Sequence, residues 1–161
     1  MQLLLMGFFV AAVTVLDQMS KLWVLENIPL YSRLEAIPGL FHLTYVQNTG
    51  AAFSSFEGQQ WLFALIFAVF TFLVAWEYRK NSMGFLPVER WCIAAIYGGG
   101  IGNMIDRVRL GYVVDMIETT FMEFPVFNVA DCFITCGCIL LMIHLFLFNK
   151  EFWKDGKKEK E

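Results

Sequence analysis

The sequence predicts an all-α membrane protein: a four-transmembrane-helix bundle with a small sheet-like element outside the bilayer. Three observations predict it. Of 161 residues, 58% are hydrophobic and only 17% charged, against about 25% charged in an ordinary soluble domain, and the mean hydropathy is +0.56. Apolar runs near the roughly 20 residues needed to cross a bilayer recur four times. Finally, Trp23, Trp61, Trp76, Trp91 and Trp153 fall near the ends of those runs, where an interfacial aromatic belt belongs.

The whole chain, 1–161, reads as one integral membrane domain. The first span, about 3–25, is uncharged until Asp17 and then carries Lys21. Its start lacks the basic region of a secretory leader, so it is expected to be a retained helix. An extramembrane segment, about 26–58, follows. Pro29, Pro38 and Gly39 break helices there, and "FHLTYVQN" alternates as a short strand would. The second span, about 59–79, is uncharged over most of its length. The third, about 89–106, ends in the polar stretch "GGGIGNMIDR". The fourth, about 125–148, opens with Pro125, a residue suited to a first helical turn. A charged tail, 149–161, closes the chain.

Orientation follows from lysine and arginine. Eight of them fall in the loop between the second and third spans and in the tail, against Arg33, Arg107 and Arg109 on the other side. The positive-inside rule then puts both termini in the cytoplasm.

Several functions are excluded or disfavoured. No basic stripe suggests nucleic acid. Cys92, Cys132, Cys136 and Cys138 lie in apolar runs without zinc-type spacing and are expected to be small buried hydrophobes. His42 and His144 are isolated, which disfavours a metalloprotease; a paired-carboxylate chemistry would need no metal and no cofactor, and none is expected.

The topology gathers every unusual polar group at the outer ends of the spans. Asp17 lies roughly 20 Å along the first helix, and Lys21 follows at i+4, the favourable order for an ion pair. Asn48 lies in the outer segment. Asn103, Asp106 and Arg107 share one face at the outer end of the third span, Asp115 lies in the outer connection, and Asn128 and Asp131 open the fourth span. A charge at mid-membrane costs about 2.5–3.5 kcal/mol even on lenient scales, so such groups should face the bundle interior. Gly98, Gly99 and Gly102 offer a small-residue groove for a neighbouring helix. Asp131 is the hardest to explain structurally, because it stands in an apolar span with no basic residue one turn away. Were it to meet a second carboxylate, the two would share one proton and could activate water as an aspartic protease does. Spacing does not establish that Asp115 is that partner; Asp17 and Asp106 compete. A proton- or ion-coupled transporter and a scaffold with a structural polar core are the other classes compatible with intramembrane acids.

Five pieces in order on four spans, "DQMSK" (17–21), "NTGAAFS" (48–54), "GGGIGNMIDR" (98–107), "GYVVD" (111–115) and "FNVAD" (127–131), resemble the prolipoprotein signal peptidase (signal peptidase II) family along nearly the whole chain. Cys132 departs from the serine common there. The resemblance implies an intramembrane aspartyl endopeptidase of the bacterial cytoplasmic (inner) membrane. It would remove the signal peptide from diacylglyceryl-modified prolipoproteins, cutting before the lipidated cysteine near the outer face. It implies that Asp115 and Asp131 are the catalytic pair. Asn48, Asn103, Arg107 and Asn128 would bind substrate or support the pair, and Asp17, Lys21 and Asp106 would give structural support. The outer segment would be the family's extramembrane cradle. Expected partners are lipidated prolipoproteins and membrane lipid; a monomer is favoured.

Overall fold

The computed structural model describes residues 1–50, 56, 58–149 and 152. Four long helices run up and down, and three strands cap one end. In chain order they are α1 (Gln2–Asn27), β1 (Arg33–Ile37), β2 (Phe41–Asn48), α2 (Gln60–Lys80), α3 (Pro87–Leu110), β3 (Val113–Thr119) and α4 (Val129–Leu147). By length and composition α1, α2 and α4 can each cross a membrane. Helix α3 carries Glu89, Arg90, Asp106, Arg107 and Arg109 and is not among them.

Each helix buries a narrow stripe and leaves its apolar remainder outward. On α1 the buried residues are Met6, Val13, Asp17, Lys21 and Val24, spaced so that they fall on one side of a helix. Leu3, Leu4, Phe8 and Leu16 face outward, each more than half exposed, as suits a helix whose solvent is hydrocarbon. Helix α3 is the centre of the bundle and packs against α1, α2 and α4. Its glycines permit this. A Cβ at Gly98 would lie 3.0 Å from the Val13 Cβ of α1, one at Gly99 would lie 2.6 Å from the Ala130 carbonyl oxygen of α4, and one at Gly102 would run into the Asp17 carboxylate. The close approach also lets the Thr14 hydroxyl donate to the Gly98 carbonyl at 3.1 Å.

The sheet is antiparallel, in the order β1-β2-β3. Strand β2 coincides with the "FHLTYVQN" segment. Strand β3 was not anticipated: Val113 to Met116 are all buried, which hides the alternation of a half-buried strand. Val114 and Met116 pack with Tyr45 on Val24 and Ile28 at the end of α1, fixing the sheet to the bundle.

Three expectations need correction. Pro125 is not in a first helical turn; α4 begins at Val129 with Asn128 as its cap. Residues 125–127 stay outside the helix because Phe127 bridges to Ile117 of β3. Of the cysteines, Cys92 is buried and Cys132 half-buried, but Cys136 and Cys138 are on the outer face of α4. Nor is His144 isolated: its Nδ1 lies 2.9 Å from the buried carboxylate of Glu89, a pairing across 55 positions that periodicity does not reveal. Residues 51–54 of the "NTGAAFS" motif, Trp153 and nearly all of the charged tail lie outside the described residues.

The glycine packing makes a prediction. Gly102→Ala, which drives a methyl group into the buried Asp17 carboxylate, is expected to destabilise the protein by about 1–3 kcal/mol. Gly7→Ala, where nothing lies within 4 Å, should be nearly neutral. Thermal unfolding in detergent compares the two, and equal midpoints would contradict the close-packing account.

Candidate active site

The site is assembled from five elements at the sheet end. Two backbone features bring the two acids together. Gly111, at φ 81°, ends α3 in the left-handed conformation and turns the chain into β3, a role glycine fills at no steric cost. Phe127 then exchanges backbone hydrogen bonds with Ile117, which holds the start of α4 beside β3. Asp115 on β3 and Asp131 in the first turn of α4 consequently line one cavity of about 390 Å³. Asn48, Asn103, Arg107 and Thr135 share its polar wall, and Phe124, Val126, Phe127 and Ile134 supply an apolar one.

Asn128 connects the acids. Its side-chain amide donates to Asp115 Oδ1 at 2.7 Å, and its backbone N–H donates to Asp131 Oδ2 at 3.1 Å. Its own Oδ1 accepts from the Asp131 N–H at 3.0 Å, a reciprocal cap. The remaining carboxylate oxygens are held by two further amides. Asn48 donates to Asp115 Oδ2 at 2.8 Å, and Asn103 donates to Asp131 Oδ1 at 2.8 Å. Each asparagine is oriented in turn. Asn48 Oδ1 accepts from the Gly50 N–H at 2.9 Å, while Asn103 Oδ1 accepts from Lys21 Nζ at 2.9 Å and from Asn128 at 3.2 Å.

Behind this layer lies a buried ionic cluster. Lys21 Nζ is 2.9 Å from Asp17 and 3.0 Å from Asp106, with all three side chains almost wholly enclosed. Asp17 also accepts from the Ala130 N–H at 2.9 Å, and Asp106 from the Val114 N–H at 3.1 Å. Asp17 and Asp106 are thus engaged away from the cavity, which leaves Asp115 and Asp131 as the pair that opens onto it. Gln18 was missed by sequence reasoning. Its amide donates to Asp106 at 2.9 Å and to the Gly102 carbonyl at 3.1 Å; its position beside Asp17 was the available signal. Arg107 does not join the ionic cluster. It donates to the Gly50 carbonyl at 3.0 Å and lies over the Phe63 ring at 4.2 Å. Its Nε is buried with no hydrogen-bond partner among the described residues.

Burial pushes the Asp115 carboxyl up to about 6, and the nearby Asp131 adds to the rise, while hydrogen bonds from Asn48 and Asn128 oppose it. An unfolded aspartate ionises near 3.8, so between these values the folded state binds more proton than the unfolded one. The stability contributed by this proton is full below about pH 4 and is lost as pH rises through about 6. Asp115→Asn should therefore flatten the fall of melting temperature across that window. Parallel pH profiles for wild type and variant would contradict the shift.

A membrane helical bundle with one buried and one half-buried acid facing one mixed polar and apolar cavity defines a class of membrane-embedded hydrolase candidates. Comparison with known proteins narrows the class. The family model "Signal peptidase (SPase) II" matches residues 9–147, and the chain belongs to that family of peptidases. A lipoprotein signal peptidase of Streptococcus agalactiae is 48% identical over 130 residues, 81% of this chain and 84% of the relative. One from Enterococcus faecalis is 42% identical over 164 residues, 97% and 96% of the two chains. Among solved structures, a bacterial membrane enzyme determined by the in meso method at 2.3 Å superposes with a TM-score of 0.81 at 30% identity, covering 97% of this chain and 92% of the other.

Proposed function

We propose that this protein is an intramembrane aspartyl endopeptidase that removes the signal peptide from diacylglyceryl-modified prolipoproteins, cutting before the lipidated cysteine. The observation that carries the reading is the pair Asp115 and Asp131, bridged by Asn128 and lining one cavity. Family membership supplies the peptidase class, and relatives across 81–97% of the chain carry the name lipoprotein signal peptidase.

In the proposed mechanism Asp115 holds the shared proton and Asp131 is the ionised base. Asp131 stands in the first turn of α4, where the helix dipole stabilises negative charge. It takes a proton from a water molecule, whose oxygen attacks the scissile carbonyl carbon. Asp115 delivers its proton to the carbonyl oxygen. The tetrahedral intermediate then collapses: the C–N bond breaks, the leaving amine takes a proton from Asp131, and a gem-diol hydroxyl returns its proton to Asp115, which restores the starting pair. Asn48, Asn103 and Asn128 hold the two carboxylates in register. The apolar wall formed by Phe124, Val126, Phe127 and Ile134 suits acyl chains or a signal helix arriving from lipid.

The same reading makes α3 the fourth membrane span. Both termini are cytoplasmic and the sheet end lies at the outer face of the cytoplasmic membrane, where a lipid-anchored cysteine would be presented. Helix α3 tolerates its charges because Glu89 and Asp106 are buried against partners within the bundle.

Asp115→Asn and Asp131→Asn are each expected to reduce cleavage by about 10²–10⁴-fold while leaving the protein folded. The assay is the purified full-length chain with a lipidated precursor. Wild-type rates in either variant would remove that residue from the mechanism.

A further inference from the structure

The end of the bundle remote from the sheet holds a second cavity, of about 440 Å³, that the peptidase reading does not use. It lies between α2 and α3. Phe70, Leu73, Val74, Ile93 and Leu141 form its walls, and the α2–α3 connection, with Met83 and Phe85, forms its floor. Helix α2 packs mainly on α3, and Glu77 is its only buried residue among those described. Leu73 and Tyr78 are partly exposed beside the cavity, so the space opens sideways toward the bilayer. Its walls along the helices are apolar, and its polar groups gather at one mouth.

Its polar rim is built rather than incidental. Asn81 ends α2 in the left-handed conformation, at φ 49°, and its side-chain oxygen accepts from Arg90 Nη2 at 2.7 Å. Arg90 Nε donates to the Phe85 carbonyl at 3.1 Å. The guanidinium is thus fixed at the mouth of the cavity, with Nη1 unpartnered among the described residues. Glu77, the one acid lining the cavity, has turned its carboxylate to the Ser82 hydroxyl at 2.8 Å and the Met83 N–H at 3.0 Å. Glu89, in the first turn of α3, is fully buried against the Leu86 N–H, His144 and Asn149. With Glu77 and Glu89 engaged inward, the Arg90 guanidinium is the charge left at this mouth.

We propose that this groove is a binding site for an anionic phospholipid. One acyl chain lies between α2 and α3, and the phosphate sits on Arg90. Basic pockets between membrane helices recognise anionic headgroups in this manner. The occupant adds contacts to α2, which packs on the bundle chiefly through α3. Assigning the lipid to the cytoplasmic leaflet rests on the orientation proposed above, but the test does not use peptidase activity, so the two can fail separately.

The experiment is native mass spectrometry of the purified full-length chain. The protein is offered equal amounts of phosphatidylglycerol and phosphatidylcholine with matched acyl chains. Wild type is expected to retain phosphatidylglycerol about fivefold better, the preference of roughly one basic contact near a membrane surface. Arg90→Gln should abolish the preference and Arg90→Lys should keep most of it. Val74→Trp, which fills the cavity, should displace both lipids, and it carries the test should Arg90→Gln not fold. Equal retention of the two lipids by wild type overturns the proposal, as does an unchanged preference in folded Arg90→Gln or undiminished retention in Val74→Trp. Displacement of phosphatidylglycerol by an added apolar signal helix would assign the groove to peptide and overturn it too.

Discussion

One ammonium group organises the sheet end of this molecule. Lys21 is 2% exposed and carries three N–H donors, and it spends them on Asp17, Asp106 and Asn103. Each of those acceptors passes the constraint onward. Asp17 holds the first turn of α4 through Ala130, Asp106 holds β3 through Val114, and Asn103 holds Asp131. A buried ion pair is a weak source of net stability, since desolvation offsets most of the attraction. Removing one partner is far more damaging, because a charge is then left buried alone. The arrangement is better understood as a device for specifying position: one cation fixes where two helices and a strand meet α1, and that meeting sets the geometry of the cavity.

The glycines of α3 make the device possible. Gly102 lies so close to Asp17 that no side chain fits between them, and Gly99 brings the α4 backbone equally near. Small residues let membrane helices approach closely where no hydrophobic force drives them together. The Asp17–Lys21 pair could not reach both Asp106 and the start of α4 across a bulkier interface. The greasy and polar halves of "GGGIGNMIDR" are two parts of one solution. The first half removes distance, and the second supplies the groups that the short distance allows to meet.

Much of this was legible because its spacings are local. The i, i+4 relation of Asp17 and Lys21 gives the ion pair directly, and the helical spacing of Asn103 and Asp106 gives their shared face, though not Lys21 as their common partner. The alternation of "FHLTYVQN" gives β2. What stayed hidden depends on tertiary context. Strand β3 is buried along its first four residues, so its period vanishes. Its position, which brings Asp115 to Asn128, depends on a backbone bridge at Phe127 that no side-chain pattern encodes. Arg107 falls on the same helical stripe as Asn103 and Asp106, yet it reaches the other way to Gly50 and Phe63, because Lys21 already satisfies the inner face. The Glu89–His144–Asn149 cluster joins residues up to 60 positions apart and has no local signature at all.

The two carboxylates that face the cavity stand on unlike backbones, and this bears on how a pair of identical side chains could divide two roles. Asp115 comes from a strand, has amide donors on both oxygens, and is buried enough that its carboxyl is pushed up to about 6. Asp131 comes from a helix N-terminus, where the peptide dipoles favour the anion, and it takes a backbone N–H from its own cap. Symmetric surroundings would leave the proton undirected between the two. Here burial favours the protonated form of the acid on the strand, while Asn128 touches both acids and keeps them in fixed relation. On the proposed reading, the direction of proton transfer is therefore set by secondary structure, before any substrate arrives.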